Sequence, residues 1–123
     1  MPRTGETHVF VYGTLREGGG AEGLLRGCAR VGAGAVRGRL YDLGAYPALV
    51  LAAGEGAVRG EVWGCPAAVL PRLDAYEGVA EGLFRRVRTE AGGVECWVYV
   101  AGPALEPALA PENLIGSGDW LAR

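Results

Sequence analysis

Residues 9–15 join an apolar strand to a loop that could bind an anion. Val-Phe-Val-Tyr is β-branched and aromatic, and it stops at Gly13, which Thr14 follows. This composition favours a strand, and a glycine at its end lets backbone N–H groups turn towards a ligand that a side chain would keep away. Amides arranged in this way can hold a carboxylate or a developing oxyanion. The same residues also fit a strand that simply ends in a turn.

The carboxylate of Glu77 is a second candidate, at the end of a predicted helix. Pro66 favours the start of this helix and Gly78 favours its end. Apolar residues recur between them at helical spacing: Val69, Leu70, Leu73 and Tyr76. Glu77 follows Leu73 by four residues and so shares the inward side of the helix. Its carboxylate is either partly buried there or a solvated acid beside a capping glycine.

Few other side chains could act as catalysts. The chain has one histidine (His8), one serine (Ser117) and no lysine, so a Schiff base is excluded and a Ser-His-acid triad would need two residues in unsuitable settings. Cys28, Cys65 and Cys96 are widely spaced, which is typical of reduced, buried thiols rather than of disulfides or a metal site. Acid–base chemistry by a carboxylate is the main route left, with a cysteine paired with His8 as the weaker alternative.

Length and composition indicate a single domain, residues 1–123, with no membrane span. Half of the residues are hydrophobic, yet no stretch approaches the roughly 20 apolar residues that a span requires. The net charge is −2 and the twelve arginines are scattered, which argues against a nucleic-acid partner. The polar start lacks a signal pattern, so we expect a cytoplasmic protein.

The elements that must position these residues are mostly strands. β-branched and aromatic residues, with glycine or proline nearby, predict strands at 8–12, 35–41, 48–52, 57–64, 84–90 and 94–100. Gly92-Gly93 predicts a tight hairpin between the last two strands. Beside the helix that begins at Pro66, a short helix is compatible with residues 21–26. The expected fold is α+β: a mixed, mostly antiparallel, barrel-like sheet with few helices, whose mouth could hold a small ligand.

Five segments follow one another along nearly the whole chain: residues 9–18, 38–49, 60–63, 73–77 and 97–100. Together they resemble the gamma-glutamylcyclotransferase-like superfamily, most closely its compact bacterial members and the gamma-glutamylamine cyclotransferase branch. The Tyr-Gly-Thr-Leu motif or the Leu-Asp-x-x-Glu motif alone would be a weak signal. The order of all five segments carries the resemblance.

The resemblance implies a cofactor-free cyclotransferase with no metal. In such an enzyme the substrate's own α-amine attacks its γ-carbonyl, which releases 5-oxoproline and an amine. Glu77 would be the catalytic acid and base, with its pKa raised from about 4.3 towards neutrality by an apolar setting from Leu73, Tyr76 and Leu83. The implied substrate-binding residues are Tyr12, Gly13, Thr14, Leu15, Tyr46, Arg86 and Tyr99.

Some residues depart from the family pattern. Ala21-Glu22 stands where relatives often carry Asn-His, and Phe84 replaces the tyrosine of a Tyr-x-Arg motif while Arg86 is kept. The tyrosines at 46 and 99 either line the pocket or pack in the core. The alternative function is a non-catalytic module that binds gamma-glutamyl compounds. The identity of the leaving amine and the choice between monomer and homodimer stay open.

A glycine run from Gly18 to Gly23 also matches the G-x-G-x-x-G pattern of dinucleotide-binding loops. A chain with 22 glycines produces this match by chance, and the run starts six residues after the predicted strand rather than at its end. The sequence therefore does not predict a nucleotide site here.

Overall fold

A six-stranded sheet dominates the structure, a computed structural model that describes residues 6–123. The strands are β1 (Glu6–Val11), β2 (Ala29–Asp42), β3 (Pro47–Leu51), β4 (Ala57–Pro66), β5 (Phe84–Ala91) and β6 (Val94–Ala101). The α-helix α1 covers Leu70–Tyr76. Short 3-10 helices occur at Glu22–Leu25, Ala67–Val69, Glu106–Ala108, Pro111–Asn113 and Trp120–Ala122.

The strands are ordered β3-β2-β4-β1-β6-β5, and only β1 and β6 run parallel to each other. The long strand β2 pairs with β4 along its first part and with β3 along its second part. The sheet curls into a half-barrel, so that β3 comes to lie against β6. The predicted α+β fold with a mixed, mostly antiparallel, barrel-like sheet is confirmed. Within residues 6–123 no helix is long and apolar enough to cross a membrane.

All six predicted strands are present, but two element boundaries differ from the prediction by more than two residues. β2 begins at Ala29, six residues before the predicted start, because pairing with β4 orders a stretch of small residues that carries little strand signal of its own. Pro66 ends β4 instead of opening the helix. Three residues of 3-10 helix follow, and α1 begins only at Leu70, so Pro71 falls in the first turn, where its missing N–H costs no hydrogen bond.

The core has two parts because β1 buries side chains on both faces. Val9 and Val11 pack with Leu73 of α1 on one face. Phe10 and Tyr12 pack on the other face in a cluster that includes Trp120 from the C-terminal segment. Burial of both faces fixes β1 in the middle of the sheet, and its C-terminal end therefore opens onto a defined position.

Candidate active site

A cavity of about 200 Å³ lies where β1 ends. Its wall is formed by the loop after β1, the segment leading into β3, the C-terminal end of α1 and part of β6. It contains these residues predicted from the sequence: Tyr12, Gly13, Thr14, Leu15, Tyr46, Glu77 and Tyr99. Tyr12 and Tyr99, which are 87 positions apart in the chain, thus border the same small cavity. Arg86 is not part of the cavity wall.

The loop after β1, residues 12–15, borders this cavity. Within residues 6–123, no acceptor takes a hydrogen bond from the N–H groups of Gly13, Thr14 or Leu15. The Arg16 amide donates to the Gly13 carbonyl at 3.0 Å and closes the turn. A Cβ atom at position 13 would lie 2.6 Å from Pro47 Cγ, so only glycine fits there. Adjacent backbone amides without an intramolecular acceptor can form a binding site for an anion.

Glu77 occupies the first position after α1, where Gly78 turns the chain with a φ of 65°. The Glu77 amide donates to the Leu73 carbonyl at 2.9 Å, so its backbone continues the helix. Burial raises the pKa of the Glu77 carboxyl to about 7. A carboxyl group with this pKa can both accept and donate a proton near neutral pH.

Tyrosine hydroxyls bordering Glu77 are held in fixed positions. Tyr12 Oη donates to the Tyr99 carbonyl at 2.6 Å, and Tyr99 Oη donates to Asp74 Oδ1 at 2.7 Å. Burial, and then the nearby Glu77 carboxylate, raise the pKa of Tyr12, so its phenol stays protonated. Tyr99 is buried in the core and also borders the cavity, so both roles that the sequence allowed for it, core packing and pocket lining, apply.

Arg86 does not border the cavity and instead contacts Asp74. Its Nε and Nη2 donate to the two oxygens of Asp74 at 3.0 and 3.3 Å, and its guanidinium lies 4.4 Å from the centre of the Trp97 ring. Asp74 in turn accepts from Tyr99. Asp74 was missed by the sequence reasoning, although it stands in the Leu-Asp-x-x-Glu motif, three residues before Glu77, on the same side of the helix.

Tyr76 also has a different position from the one expected. The helical pattern placed it in the apolar stripe, but it is 45% exposed and borders the cavity. Its hydroxyl lies 2.8 Å from Thr14 Oγ1, which links the end of α1 to the loop. Leu83 borders the cavity as well, whereas Leu73 is fully buried beneath it.

The two departures from the family pattern have clear structural positions. Glu22 accepts hydrogen bonds from the amides of Gly18 and Gly20, both at 2.9 Å, so its carboxylate occupies the amides of the glycine run. Hydrogen bonds from its own amide and from these two lower the pKa of Glu22. Phe84 lies in the cavity wall, with its ring edge-on to Tyr46 at 5.9 Å between centroids.

The alternative catalysts identified from the sequence lie elsewhere. His8, Ser117 and the three cysteines are absent from the wall of this cavity. The Ser117 hydroxyl is engaged in a local turn with the backbone of Asp119. In the part of the chain that the structure describes, no three His, Cys, Asp or Glu side chains are grouped as metal ligands would be.

Known proteins resemble this chain over nearly its whole length. Residues 9–122 match the family model described as gamma-glutamyl cyclotransferase, AIG2-like. A Vibrio cholerae protein, provisionally named a gamma-glutamylcyclotransferase, is 37% identical over 117 residues, 94% of this chain and 96% of its own. The gamma-glutamylcyclotransferase family protein YtfP of Escherichia coli K12 is 34% identical over 116 residues, with the same coverage. An AIG2-like protein of Mus musculus has a crystal structure with a TM-score of 0.72 at 27% identity, covering 88% of this chain and 82% of its own.

Proposed function

Because the chain belongs to the gamma-glutamyl cyclotransferase, AIG2-like family, we propose that it converts a gamma-glutamyl amide into 5-oxoproline and a free amine. One observation carries the proposal. Residues 13–15, whose amides have no acceptor within residues 6–123, line the same cavity as Glu77, and burial raises the pKa of the Glu77 carboxyl to about 7. These are the two functions that an intramolecular aminolysis requires from a protein, namely anion binding and proton transfer.

In the proposed reaction the nucleophile belongs to the substrate. Its α-nitrogen forms a bond to the γ-carbon, the five-membered lactam closes, and the bond from the γ-carbon to the amide nitrogen breaks. The α-ammonium nitrogen loses two of its three protons in becoming the lactam N–H. Glu77, as the carboxylate, would take each proton in turn and pass it to the departing nitrogen, so that the amine leaves in its ammonium form. Folding the substrate into the cyclising geometry is worth on the order of 7–11 kcal/mol in well-oriented intramolecular reactions.

The loop amides are the groups suited to the negative charges of the reaction. The substrate brings an α-carboxylate, and the tetrahedral intermediate places a second charge on the γ-oxygen. The cavity wall formed by the described residues contains no arginine or histidine, and the chain has no lysine. Backbone N–H groups of Gly13, Thr14 and Leu15 would therefore bind the carboxylate and stabilise the oxyanion.

The aromatic residues would shape the rest of the site. Tyr12 and Tyr99 border the space next to Glu77, and Tyr46 with Phe84 forms an aromatic wall. Arg86 would contribute through Asp74, which accepts the Tyr99 hydroxyl hydrogen bond, rather than by touching the substrate. A mostly apolar wall also keeps Glu77 poorly solvated, which is what raises its pKa.

The test is a screen of gamma-glutamyl amides for 5-oxoproline release, comparing the protein with Glu77→Gln. We expect the parent to turn over at least one amide and the variant to lose at least about a hundredfold in kcat, the scale of general acid–base catalysis. Binding of 5-oxoproline, measured by calorimetry, should persist in the variant because the loop amides are unchanged.

Glu81→Gln is the matched control, since Glu81 is an exposed acid four residues further along that does not border the cavity. It should retain the parental kcat. Unchanged turnover in Glu77→Gln would remove Glu77 from the mechanism. Stoichiometric binding of gamma-glutamyl amides without any product would instead identify a binding module and contradict the proposed activity.

A further inference from the structure

Glu61 is a buried carboxylate that the proposed reaction does not use. It is 5% exposed, and among residues 6–123 it is the single charged side chain in the buried class. Glu61 lies in β4 directly across from Val11, the last residue of β1. Burying a carboxylate is costly unless hydrogen bonds and charges compensate for the lost water, so its partners indicate what its position achieves.

The partners of Glu61 include the two residues that follow the loop. Its Oε1 accepts from the Glu17 amide at 3.0 Å and from Trp63 Nε1 at 3.1 Å. Its Oε2 lies 3.6 Å from Arg16 Nε. The near end of the loop is held by the pairing of Val11 with β4, and Glu61, in the same strand, holds the far end. Both ends are thus attached to one rigid strand.

Arg16 extends this attachment to the C-terminal segment. Its Nη1 donates to Asp119 Oδ1 at 2.7 Å, and the same oxygen accepts from the Leu121 amide at 3.0 Å. Asp119 directly precedes Trp120, which is buried. The Arg16 side chain therefore lies between a carboxylate of the sheet and a carboxylate of a packed segment, and its freedom to move is small.

We propose that Glu61 is a positioning residue, which acts through Arg16 and the Glu17 amide to set where the Gly13, Thr14 and Leu15 amides lie. This inference rests on the proposed function, because it assigns those amides to the substrate. The Arg16 amide closes the turn onto the Gly13 carbonyl, so a shift of Arg16 reopens the turn that aims them. A misplacement of about 1 Å is enough to cost a large factor in catalysis.

The test compares Glu61→Gln with the parent protein in steady-state kinetics on a gamma-glutamyl amide that the parent turns over. Glutamine keeps the size of the side chain but removes the charge that faces Arg16. We expect KM to rise about tenfold and kcat to fall as well, because the same amides bind the substrate carboxylate in the ground state and stabilise the oxyanion in the transition state. The midpoint of the pH profile should not move, since Glu77 is untouched.

Arg16→Lys is the second variant and remains informative if Glu61→Gln does not fold. Lysine keeps the charge, but a single ammonium group cannot reach Glu61 and Asp119 at once, so KM should again rise about tenfold. Val36→Ala is the control for lost stability, because Val36 is buried in the core cluster that contains Phe10 and does not border the cavity. It should lower the melting temperature and leave KM unchanged.

A KM within about twofold of the parent in every folded variant of Glu61 and Arg16 would overturn the proposal. The same KM rise in Val36→Ala would also overturn it, since general destabilisation would then explain the effect. If the parent releases no 5-oxoproline from any gamma-glutamyl amide, the proposed function fails. The positioning role is then decided by the amide NMR signals of residues 13–15, which should shift in Glu61→Gln and stay in place in Val36→Ala.

Discussion

At the scale of single residues, the proposed chemistry depends on how the surroundings change the pKa of Glu77. An exposed glutamate at the end of a helix titrates near 4.5 and is a weak base at neutral pH. Burial beside the cavity raises its pKa to about 7, where the carboxylate is basic enough to take a proton from an ammonium group and the acid strong enough to return it. In the proposed reaction, the residue type would set the available chemistry, and the burial would set the pH range in which it works.

Activity and stability should therefore respond to pH in opposite directions. Since Glu77 must start as the carboxylate, we expect kcat/KM to rise with pH through a midpoint at about 7. The raised pKa favours the folded state below about 4.5, and this contribution is lost as the pH rises through about 7, by no more than about 3 kcal/mol.

Denaturant titrations of the parent and of Glu77→Gln between about pH 4 and about pH 8 measure the predicted loss of stability. The free energy of unfolding of the parent, relative to the variant, should decline between about pH 4.5 and about pH 7 and then level off. Parallel curves for the two proteins would show that Glu77 titrates at its ordinary value.

At the scale of elements, the site depends on the contact between a loop and a helix. The Thr14 hydroxyl and the Tyr76 hydroxyl are 2.8 Å apart although the residues are 62 positions apart in the chain. This hydrogen bond is exposed, so its net contribution should be about 0.5–1.5 kcal/mol. It joins the segment that holds the proposed substrate to the segment that carries Glu77.

A double-mutant cycle measures this link. Tyr76→Phe and Thr14→Val each remove the hydrogen bond and keep most of the side chain, so each should lower kcat/KM by about twofold to tenfold. The double variant should lose little more than either single variant, because the same bond is broken in all three. Fully additive losses would mean that the two hydroxyls act independently.

Sequence patterns predicted the strands correctly but misplaced the starts of β2 and of the helix. The β-branched and aromatic residues from Val9 to Tyr12 correctly predicted β1, since strand propensity is a property of the residue types themselves. The start of β2 was placed late because four of residues 29–34 are alanine or glycine, and the strand conformation of this stretch comes from pairing with β4. The Pro66 signal was misplaced because β4 continued to pair with β1 up to that residue.

At the scale of the whole molecule, the C-terminal segment completes the core. Trp120 is 4% exposed in the cluster that contains Phe10 and Tyr12, and the Arg123 guanidinium lies 3.5 Å from the centre of its ring. Asp119, the preceding residue, receives the Arg16 hydrogen bond. The C-terminal segment, more than 100 residues away in sequence, therefore holds the side chain of Arg16, the residue that follows the loop.

We expect Trp120→Ala to lower the free energy of unfolding by about 3–5 kcal/mol, because it removes a large buried ring. Urea denaturation measures the loss. Leu121→Ala is the matched control, since Leu121 is 45% exposed and its truncation should change stability by less than about 0.5 kcal/mol. Equal losses in the two variants would contradict the buried position of Trp120.

The sequence by itself determined the strand content and identified the Tyr-Gly-Thr-Leu loop and Glu77 as candidates, because periodicity and side-chain chemistry are local properties. Only the tertiary structure decided that Arg86 binds Asp74 outside the cavity, that Glu61 holds the Glu17 amide, and how far burial raises the pKa of Glu77. Each of these depends on distances between residues far apart in the chain. Such distances exist only after the sheet has curled, and no local pattern encodes them.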